Sequence, residues 1–201
     1  MEGTHWILLG STGIYKAPSW NSAGSPYDTE APRAKAEDGL LELLGKRACV
    51  LCLAGLWGGE RQPREWVKRV AKTKGEVGGK GGVHLVHGGD VGRGIVGCLG
   101  GMGVGTAVEG GKGSGVWGKR WIVTDLRVYD WWELFMLWGK YAREGAGGEG
   151  EGWRYEQWVV ELMREEGVRA LPRDKERLGR LVDGRAFWEE MGMWPEEGRP
   201  T

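Results

Sequence analysis

Cysteine is scarce in this chain, and neither sign of charge is in excess. Three cysteines among 201 residues form a small and odd set, which favours a reducing compartment over a disulfide framework. The 28 basic and 28 acidic residues cancel, so no strong field attracts nucleic acid or an anionic membrane. No apolar run reaches the roughly 20 residues that span a bilayer, and no basic stretch precedes the first apolar run, as it would in a secretory signal. These absences predict a cytoplasmic protein that has neither nucleic acid nor a membrane as a partner.

Glycine and tryptophan are abundant instead. The 39 glycines make up roughly a fifth of the chain, against about 7% in ordinary proteins, and there are 13 tryptophans. A length of 201 residues supports one domain of good size with a small appendage. We expect a partial α/β region over 1–142, interrupted by a glycine-rich insertion near 100–118, and a helical cap over 153–201.

Two continuous apolar runs are typical of strands buried on both faces of a parallel sheet. The first, Trp6–Leu9, ends abruptly in Gly10–Gly13, and the second is Ala48–Leu56. Between them, Pro32–Leu44 has a proline suited to a first helical turn and is followed by a glycine. Strand, helix and strand at this spacing predict a crossover unit of a parallel sheet.

The rest of the chain predicts further short elements. Gly75–Gly82 has no periodic pattern and is expected to be loose, and Arg143–Gly152 is expected to be a flexible acidic linker. Asp90 and Asp130 are candidate N-caps of helices. The remaining predicted elements are helices over Arg61–Lys72, Trp153–Glu166 and Arg185–Met191, and strands over Val83–His87 and Arg120–Thr124.

Several motifs that could carry chemistry have simpler explanations. Cys49 and Cys52 lie within a predicted strand, on opposite faces, which favours buried apolar thiols over a redox pair. His84 and His87 have no nearby cluster that would complete a metal site, so no metal is predicted. The segment Gly78–Gly82 (GGKGG) precedes a strand and lacks the phosphate-loop pattern, which favours a flexible linker.

Other single residues keep two interpretations. The Ser11 hydroxyl could bind a substrate carbonyl or complete the last backbone hydrogen bonds of its strand. Arg61 could bind a substrate anion or be a solvated loop charge. Tyr15 could line the crevice at the strand ends or pack in the core, and His87 and Asp90 are consistent with structural roles at a strand end and a helix start.

Five segments, in order, resemble the short-chain dehydrogenase/reductase superfamily, and in particular its extended and atypical branch of NAD-dependent epimerase/dehydratase-like proteins. They are GSTGIY (Gly10–Tyr15), LAGLWGG (Leu53–Gly59) followed by Arg61, HLVHGGDV (His84–Val91), RWIVTD (Arg120–Asp125) and the tail Pro172–Trp194. The resemblance implies a mostly parallel sheet with flanking helices, NAD or NADP as cofactor, and a small-molecule or nucleotide-linked substrate.

The resemblance also implies roles for particular residues. The segment at Gly10–Tyr15 corresponds to the strand end with the family's catalytic Ser/Thr. The implied catalytic residues are Ser11 and Tyr15; the implied cofactor contacts are Gly10, Ser11, Ala54, Gly55 and Leu56; and the implied substrate contacts are Trp57, Arg61 and His87.

The chain departs from the family at the acid/base pair, a tyrosine followed by lysine four positions later. Tyr27 has Ala31 at that spacing. Aligning the family's downstream glutamate on Glu37 puts Thr29 at the tyrosine position and Arg33 at the lysine position. A threonine hydroxyl is too weak an acid to replace a phenol, whereas Arg33 could still hold a ribose or a phosphate. The usual hydride-transfer mechanism is therefore disfavoured.

The chain also departs from the family before its first strand. No glycine-rich strand–turn–helix that would hold the cofactor pyrophosphate precedes Trp6. We therefore expect a partial Rossmann-type domain that lacks its N-terminal half and has an exposed hydrophobic sheet edge. The alternative to an atypical NAD(P)-binding protein is a non-catalytic truncated fragment, or a partner-binding protein that uses this edge, with self-association as one outcome.

Overall fold

The computed structural model describes residues 3–100, 114–142 and 153–200. The strands are β1 (Trp6–Ser11), β2 (Trp20–Asn21), β3 (Ala48–Leu53), β4 (Gly55–Trp57), β5 (Gly82–Val83), β6 (Leu85–His87), β7 (Arg120–Val123), β8 (Tyr129–Asp130) and β9 (Leu181–Val182). The helices are α1 (Pro32–Leu44), α2 (Val67–Val70), α3 (Lys74–Gly78), α4 (Gly88–Gly100), α5 (Trp131–Trp138), α6 (Trp153–Glu165) and α7 (Arg185–Met191).

The largest sheet has three parallel strands in the order β1-β3-β7. Its register pairs Trp6 with Ala48 and Val50 with Arg120. Two further parallel pairs, β4 with β6 and β2 with β9, and one antiparallel pair, β5 with β8, extend the β-structure. The predicted α/β class with a mostly parallel sheet and flanking helices is confirmed.

The two apolar runs have different surroundings. Every residue of β3 is buried, as predicted, because β3 is paired on both sides. The predicted strand does not continue to Leu56, because the chain leaves the sheet at Ala54 and Gly55–Trp57 form the partly buried β4. The prediction is wrong for β1, where Trp6 is 48% and Leu9 is 42% exposed. Within the described residues no strand pairs with the outer side of β1, so it is an edge strand with apolar side chains in contact with solvent.

Helix α1 has the predicted bounds, and its buried face is not made of its leucines. Its fully buried side chains are Ala34 and Glu37, whereas its leucines are half-buried or exposed, with Leu43 at 77%. A carboxylate occupies the central position against the sheet because Arg120, the first residue of β7, lies opposite it.

Glu37 and Arg120 form a buried ion pair. Arg120 Nε donates to Glu37 Oε2 at 3.0 Å, and Arg120 Nη2 donates to Asp38 Oδ1 at 2.6 Å. Tyr27 completes the group, because its hydroxyl donates to Asp38 and its ring lies 4.4 Å from the guanidinium. Burial alone would lower the pKa of Arg120, but the two carboxylates raise it above its usual value. The pair fixes α1 against the sheet, since separating two buried charges leaves each uncompensated.

Cys49 and Cys52 are confirmed as buried free thiols. They pack in different hydrophobic clusters, consistent with the opposite faces predicted for them. Burial and the nearby Glu37 carboxylate raise the pKa of Cys52 to about 12, so this thiol is not a nucleophile at neutral pH.

Two local predictions are wrong. The segment expected to be loose contains α3, because the Thr73 hydroxyl accepts from the Glu76 N–H at 3.2 Å and caps that helix. Asp90 is not an N-cap, since α4 already begins at Gly88. The buried Asp90 carboxylate instead accepts the backbone N–H groups of Glu196 and Glu197 and so holds the C-terminal segment against α4.

Asp130 is confirmed as the cap of α5, where its carboxylate accepts from the Trp132 N–H at 2.9 Å. The same carboxylate receives the Arg173 guanidinium at 2.7 Å, and Arg173 lies 3.9 Å over the Trp132 ring. This buried contact joins the residues after α6 to the aromatic core of α5.

The other predicted elements are largely as expected. The helix predicted over Arg61–Lys72 is a 3-10 turn, Pro63–Trp66, followed by α2, and the strand predicted over Val83–His87 is divided at His84. Most of the glycine-rich insertion and the acidic linker 143–152 lie outside the described residues. In the part of the chain that is described, no helix combines the length and apolarity needed to cross a membrane.

Candidate functional site

A cavity of about 570 Å³ opens at the carboxyl ends of β1 and β3. Ligands of open parallel α/β sheets bind at this side of the sheet. Seven of the residues that the sequence singled out lie together in its wall: Gly10, Ser11, Arg33, Ala54, Gly55, Leu56 and Arg61. The cavity therefore brings together three separate sequence segments.

Gly10 and Ser11 form the end of β1 at this cavity. A Cβ atom at Gly10 would lie only 2.4 Å from Glu37 Oε1, so a larger residue would displace the buried carboxylate. The Ser11 hydroxyl accepts from the Gly13 N–H at 3.1 Å and caps a short 3-10 turn. This contact uses the oxygen as an acceptor, so the hydroxyl proton is still available to a ligand. The two interpretations of Ser11 are thus compatible.

Three arginines give the cavity its charge. Arg33 Nη1 lies 3.5 Å from the Leu9 carbonyl, and Arg180 Nη1 donates to the Thr12 carbonyl at 2.9 Å. Arg61 also lines the cavity, with its guanidinium 5.8 Å from the centre of the Trp66 ring.

None of these three guanidinium groups has a carboxylate oxygen of the described residues within 4 Å. Burial lowers the pKa of Arg180, since a guanidinium withdrawn from water is costly without an anion. The cavity is therefore suited to an anionic group such as a phosphate.

Sequence reasoning missed Arg180 and His84 as members of this wall. Arg180 reaches Thr12 across 168 positions, and local spacing contains no signal for such a contact. From the sequence, His84 is a candidate only as a metal ligand. Its Nε2 accepts from the Val182 N–H at 3.0 Å, and so ties β9 to the cavity.

His84 is a neutral side chain in this wall. Burial, together with the positive charge of Arg180, lowers the pKa of its imidazole to about 4. It is therefore a hydrogen-bonding group at neutral pH, and its pKa lies too far below 7 for it to serve as an efficient general base.

The two tyrosines near the site donate their hydroxyl hydrogen bonds to groups outside the cavity. Tyr15 is fully buried and donates to the Ala23 carbonyl at 3.2 Å, and burial, with Cys52 nearby, raises the pKa of its phenol above the usual value. Tyr27 donates to Asp38. Tyr15 therefore packs in the core and does not line the crevice. Neither phenol is placed to act as an acid in the cavity.

Three other candidates do not line the cavity. Thr29 is exposed on the segment before α1. Of the residues at the family's tyrosine and lysine positions, Thr29 and Arg33, only Arg33 therefore lines the cavity. Trp57 and His87 lie at the ends of β4 and β6, with their ring centres 4.6 Å apart. His87 Nδ1 is also 3.4 Å from Glu197 Oε1, near the C-terminal segment.

The described wall thus offers hydrogen-bond donors and positive charge. It contains no phenol beside an ammonium group, and His84 is its only imidazole. Such a wall can bind and orient an anionic ligand, and it differs from an active site built around a tyrosine acid.

Several solved structures have a similar architecture. A protein from Methylobacillus flagellatus described as an NAD-dependent epimerase/dehydratase is 13% identical, with a TM-score of 0.56 over 96% of this chain and 60% of the other. MoeE5, solved with UDP-glucose and NAD, is 15% identical, with a TM-score of 0.55 over 98% and 61%. The dTDP-glucose 4,6-dehydratase of Bacillus anthracis, solved with NAD, is 11% identical, with a TM-score of 0.52 over 96% and 57%.

No protein-family model and no curated protein matches the sequence. The structural likeness shows that the chain shares part of the Rossmann-type α/β fold of these solved structures, as the five segments predicted. The chain spans about three fifths of the length of these solved structures.

The buried neutral His84 makes stability depend on pH. The unfolded chain binds a proton near pH 6.5 and the folded chain only near pH 4, so acid favours unfolding. The contribution of His84 to the free energy of unfolding is complete above about pH 6.5 and falls by roughly 3 kcal/mol as the pH drops to 4.

Urea unfolding of the wild type and of His84→Gln between pH 7 and pH 4 measures this contribution. We expect the difference between the two proteins to shrink or reverse as the pH falls. A difference that stays constant with pH would show that His84 titrates equally in both states.

Proposed function

We propose that this chain is an atypical epimerase/dehydratase-like protein that binds NAD or NADP in the cavity at the ends of β1 and β3. The observation that carries the proposal is the convergence of Gly10–Ser11, Ala54–Leu56 and Arg33 on one cavity. Its volume of about 570 Å³ lies within the range of small-molecule sites.

The residues present suit the nicotinamide half of such a cofactor. The segments at Gly10–Ser11 and Ala54–Leu56 would flank the ring, and the Arg33 guanidinium would hold the ribose or a phosphate oxygen. A bound nicotinamide would supply hydride chemistry. The solved structures of similar fold that contain NAD support this assignment.

A second ligand group would lie toward the C-terminal part of the chain. Arg61 and Arg180 lie in the wall, unneutralised by the described carboxylates, and are suited to a phosphate or a carboxylate. MoeE5 was solved with UDP-glucose, which supports a small-molecule or nucleotide-linked substrate. Arg180 and Val182 belong to 153–201, so we assign that region as the cap of the site. Trp57 and His87 would contact only a substrate that extends beyond the cavity.

The proposed chemistry does not use a tyrosine acid. Ser11 would donate to a substrate carbonyl, and the arginines would fix the anionic groups. Tyr15 supports the loop from inside the core, and Thr29 takes no part. The protein therefore either senses a dinucleotide or catalyses a reaction in which groups of the bound ligands, and not a tyrosine, donate and accept the protons. We also propose a cytoplasmic location, consistent with three cysteines that are all free.

A second candidate function is protein binding through the outer edge of β1. Trp6 and Leu9 are about half exposed there, and β1 contains no charged residue that would prevent pairing with another strand. Self-association through this edge is the form of the proposal that the chain alone can test.

Titration of the purified chain with NADH and NADPH, followed by nicotinamide fluorescence, tests the first proposal. We expect saturable binding that Arg33→Gln weakens about tenfold, the usual scale for one charged hydrogen bond. Lys35→Gln is the matched control, because Lys35 is on the same helix and pairs with Glu30 in solvent.

Two results would contradict the cofactor proposal. One is the absence of binding of both dinucleotides at millimolar concentration, and the other is equal binding by the Arg33 and Lys35 variants.

Light scattering of the wild type, Leu9→Lys and Leu43→Lys tests the edge proposal. A charge at Leu9 disfavours strand pairing, whereas Leu43 is on α1 and 77% exposed. We expect association of the wild type and of the Leu43 variant, and a monomer for the Leu9 variant. A monomeric wild type, or association that persists in Leu9→Lys, would rule out this edge as the interface.

A further inference from the structure

A second cavity, of about 540 Å³, adjoins the first. Arg180 lies in the walls of both cavities. The rest of the second wall comes from Gly78–Gly82, from Arg173, from Glu166 and from Arg177–Gly179. The GGKGG segment, which the sequence suggests is a flexible linker, is therefore part of a defined surface.

The glycine segment is held in place by its neighbours. Gly82 N donates to the Leu178 carbonyl at 2.7 Å, and Arg173 Nη2 donates to the Lys80 carbonyl at 2.6 Å. A Cβ atom at Gly81 would lie 2.3 Å from the same Leu178 carbonyl oxygen, so this close approach requires glycine. The backbone of Lys80–Gly82 is thus held in place by contacts within the protein.

Part of the charge in this cavity is neutralised within the protein. Arg173 is buried and shares its guanidinium with Asp130 at 2.7 Å. Arg177 Nη1 donates to the Glu166 carbonyl oxygen at 3.2 Å and lies 3.9 Å from Glu166 Oε2, the only carboxylate of the wall. This pair is long and half-exposed, so it is weak and leaves the Arg177 guanidinium able to bind an anion.

Two cations of the wall remain without such compensation. Neither Lys80 nor Arg180 has a carboxylate oxygen of residues 3–100, 114–142 or 153–200 within ion-pair distance. Arg180 is partly buried where it borders the two cavities, and burial lowers its pKa because an unpaired charge is costly there. An anion placed between Lys80 and Arg180 would offset that cost.

We propose that the second cavity binds a phosphate group, held by Lys80, Arg177 and Arg180. The segment lacks the pattern of a phosphate-binding loop that precedes a helix, so the binding energy comes from side-chain charges. The proposal does not depend on the first cavity holding a dinucleotide, because Lys80 and Arg177 line only the second one.

Calorimetric titration of the chain with pyrophosphate and with ADP tests the site. We expect Lys80→Gln and Arg177→Gln each to weaken pyrophosphate binding at least fivefold at low salt. Arg33→Gln, which alters only the first cavity, and Arg169→Gln, an exposed arginine elsewhere, should bind as the wild type does. Tighter binding of ADP than of pyrophosphate identifies a nucleotide as the source of the phosphate, and the reverse identifies the free anion.

Failure of this proposal is separable from failure of the cofactor proposal. No pyrophosphate or ADP binding at millimolar concentration, or a loss caused by Arg33→Gln and not by Lys80→Gln, would overturn the second site. Circular dichroism of each variant confirms that it is folded. Nicotinamide fluorescence of Lys80→Gln reports the first cavity independently.

Discussion

The buried ion pair between Glu37 and Arg120 is the contact on which the candidate site depends. It locks α1 to the first residue of β7, and its carboxylate fills the space beside Gly10 where any other residue would have a Cβ atom. Arg33 lies one helical turn before Glu37 and is thereby directed at the end of β1. The ion pair between α1 and β7 thus positions both the end of β1 and the Arg33 guanidinium at the cavity.

The C-terminal part of the chain completes the site from the other side. Arg180 donates to Thr12 beside the β1 end, and Val182 donates to His84 between β5 and β6. Because Arg180 borders both cavities, an anion in one changes the electrostatic potential in the other. If both proposed sites are occupied, their ligands are therefore coupled through a single side chain.

Much of the fold could be predicted from local pattern, and the failures have physical causes. The bounds of α1 and α7 follow from Pro32 and Gly192, and the parallel pairing of β1 with β3 follows from the apolar runs. The exposure of β1 could not be predicted from its apolar content, which does not reveal whether a strand is central or at an edge, although the resemblance separately predicted an exposed hydrophobic edge of the sheet. The role of Asp90 was also hidden, since its partners Glu196 and Glu197 lie more than a hundred positions away. In the candidate site, Ser11, Arg33 and Arg61 were found from motifs, whereas Arg180 required the tertiary structure.

We propose that a dinucleotide occupies the cavity at the ends of β1 and β3. Amide chemical-shift changes of the ¹⁵N-labelled chain during titration with NADPH test this occupancy residue by residue. We expect the largest changes at Ser11, Gly13 and Ala54–Leu56, with small changes on α6. Changes confined to other parts of the chain, or none at saturating NADPH, would contradict it.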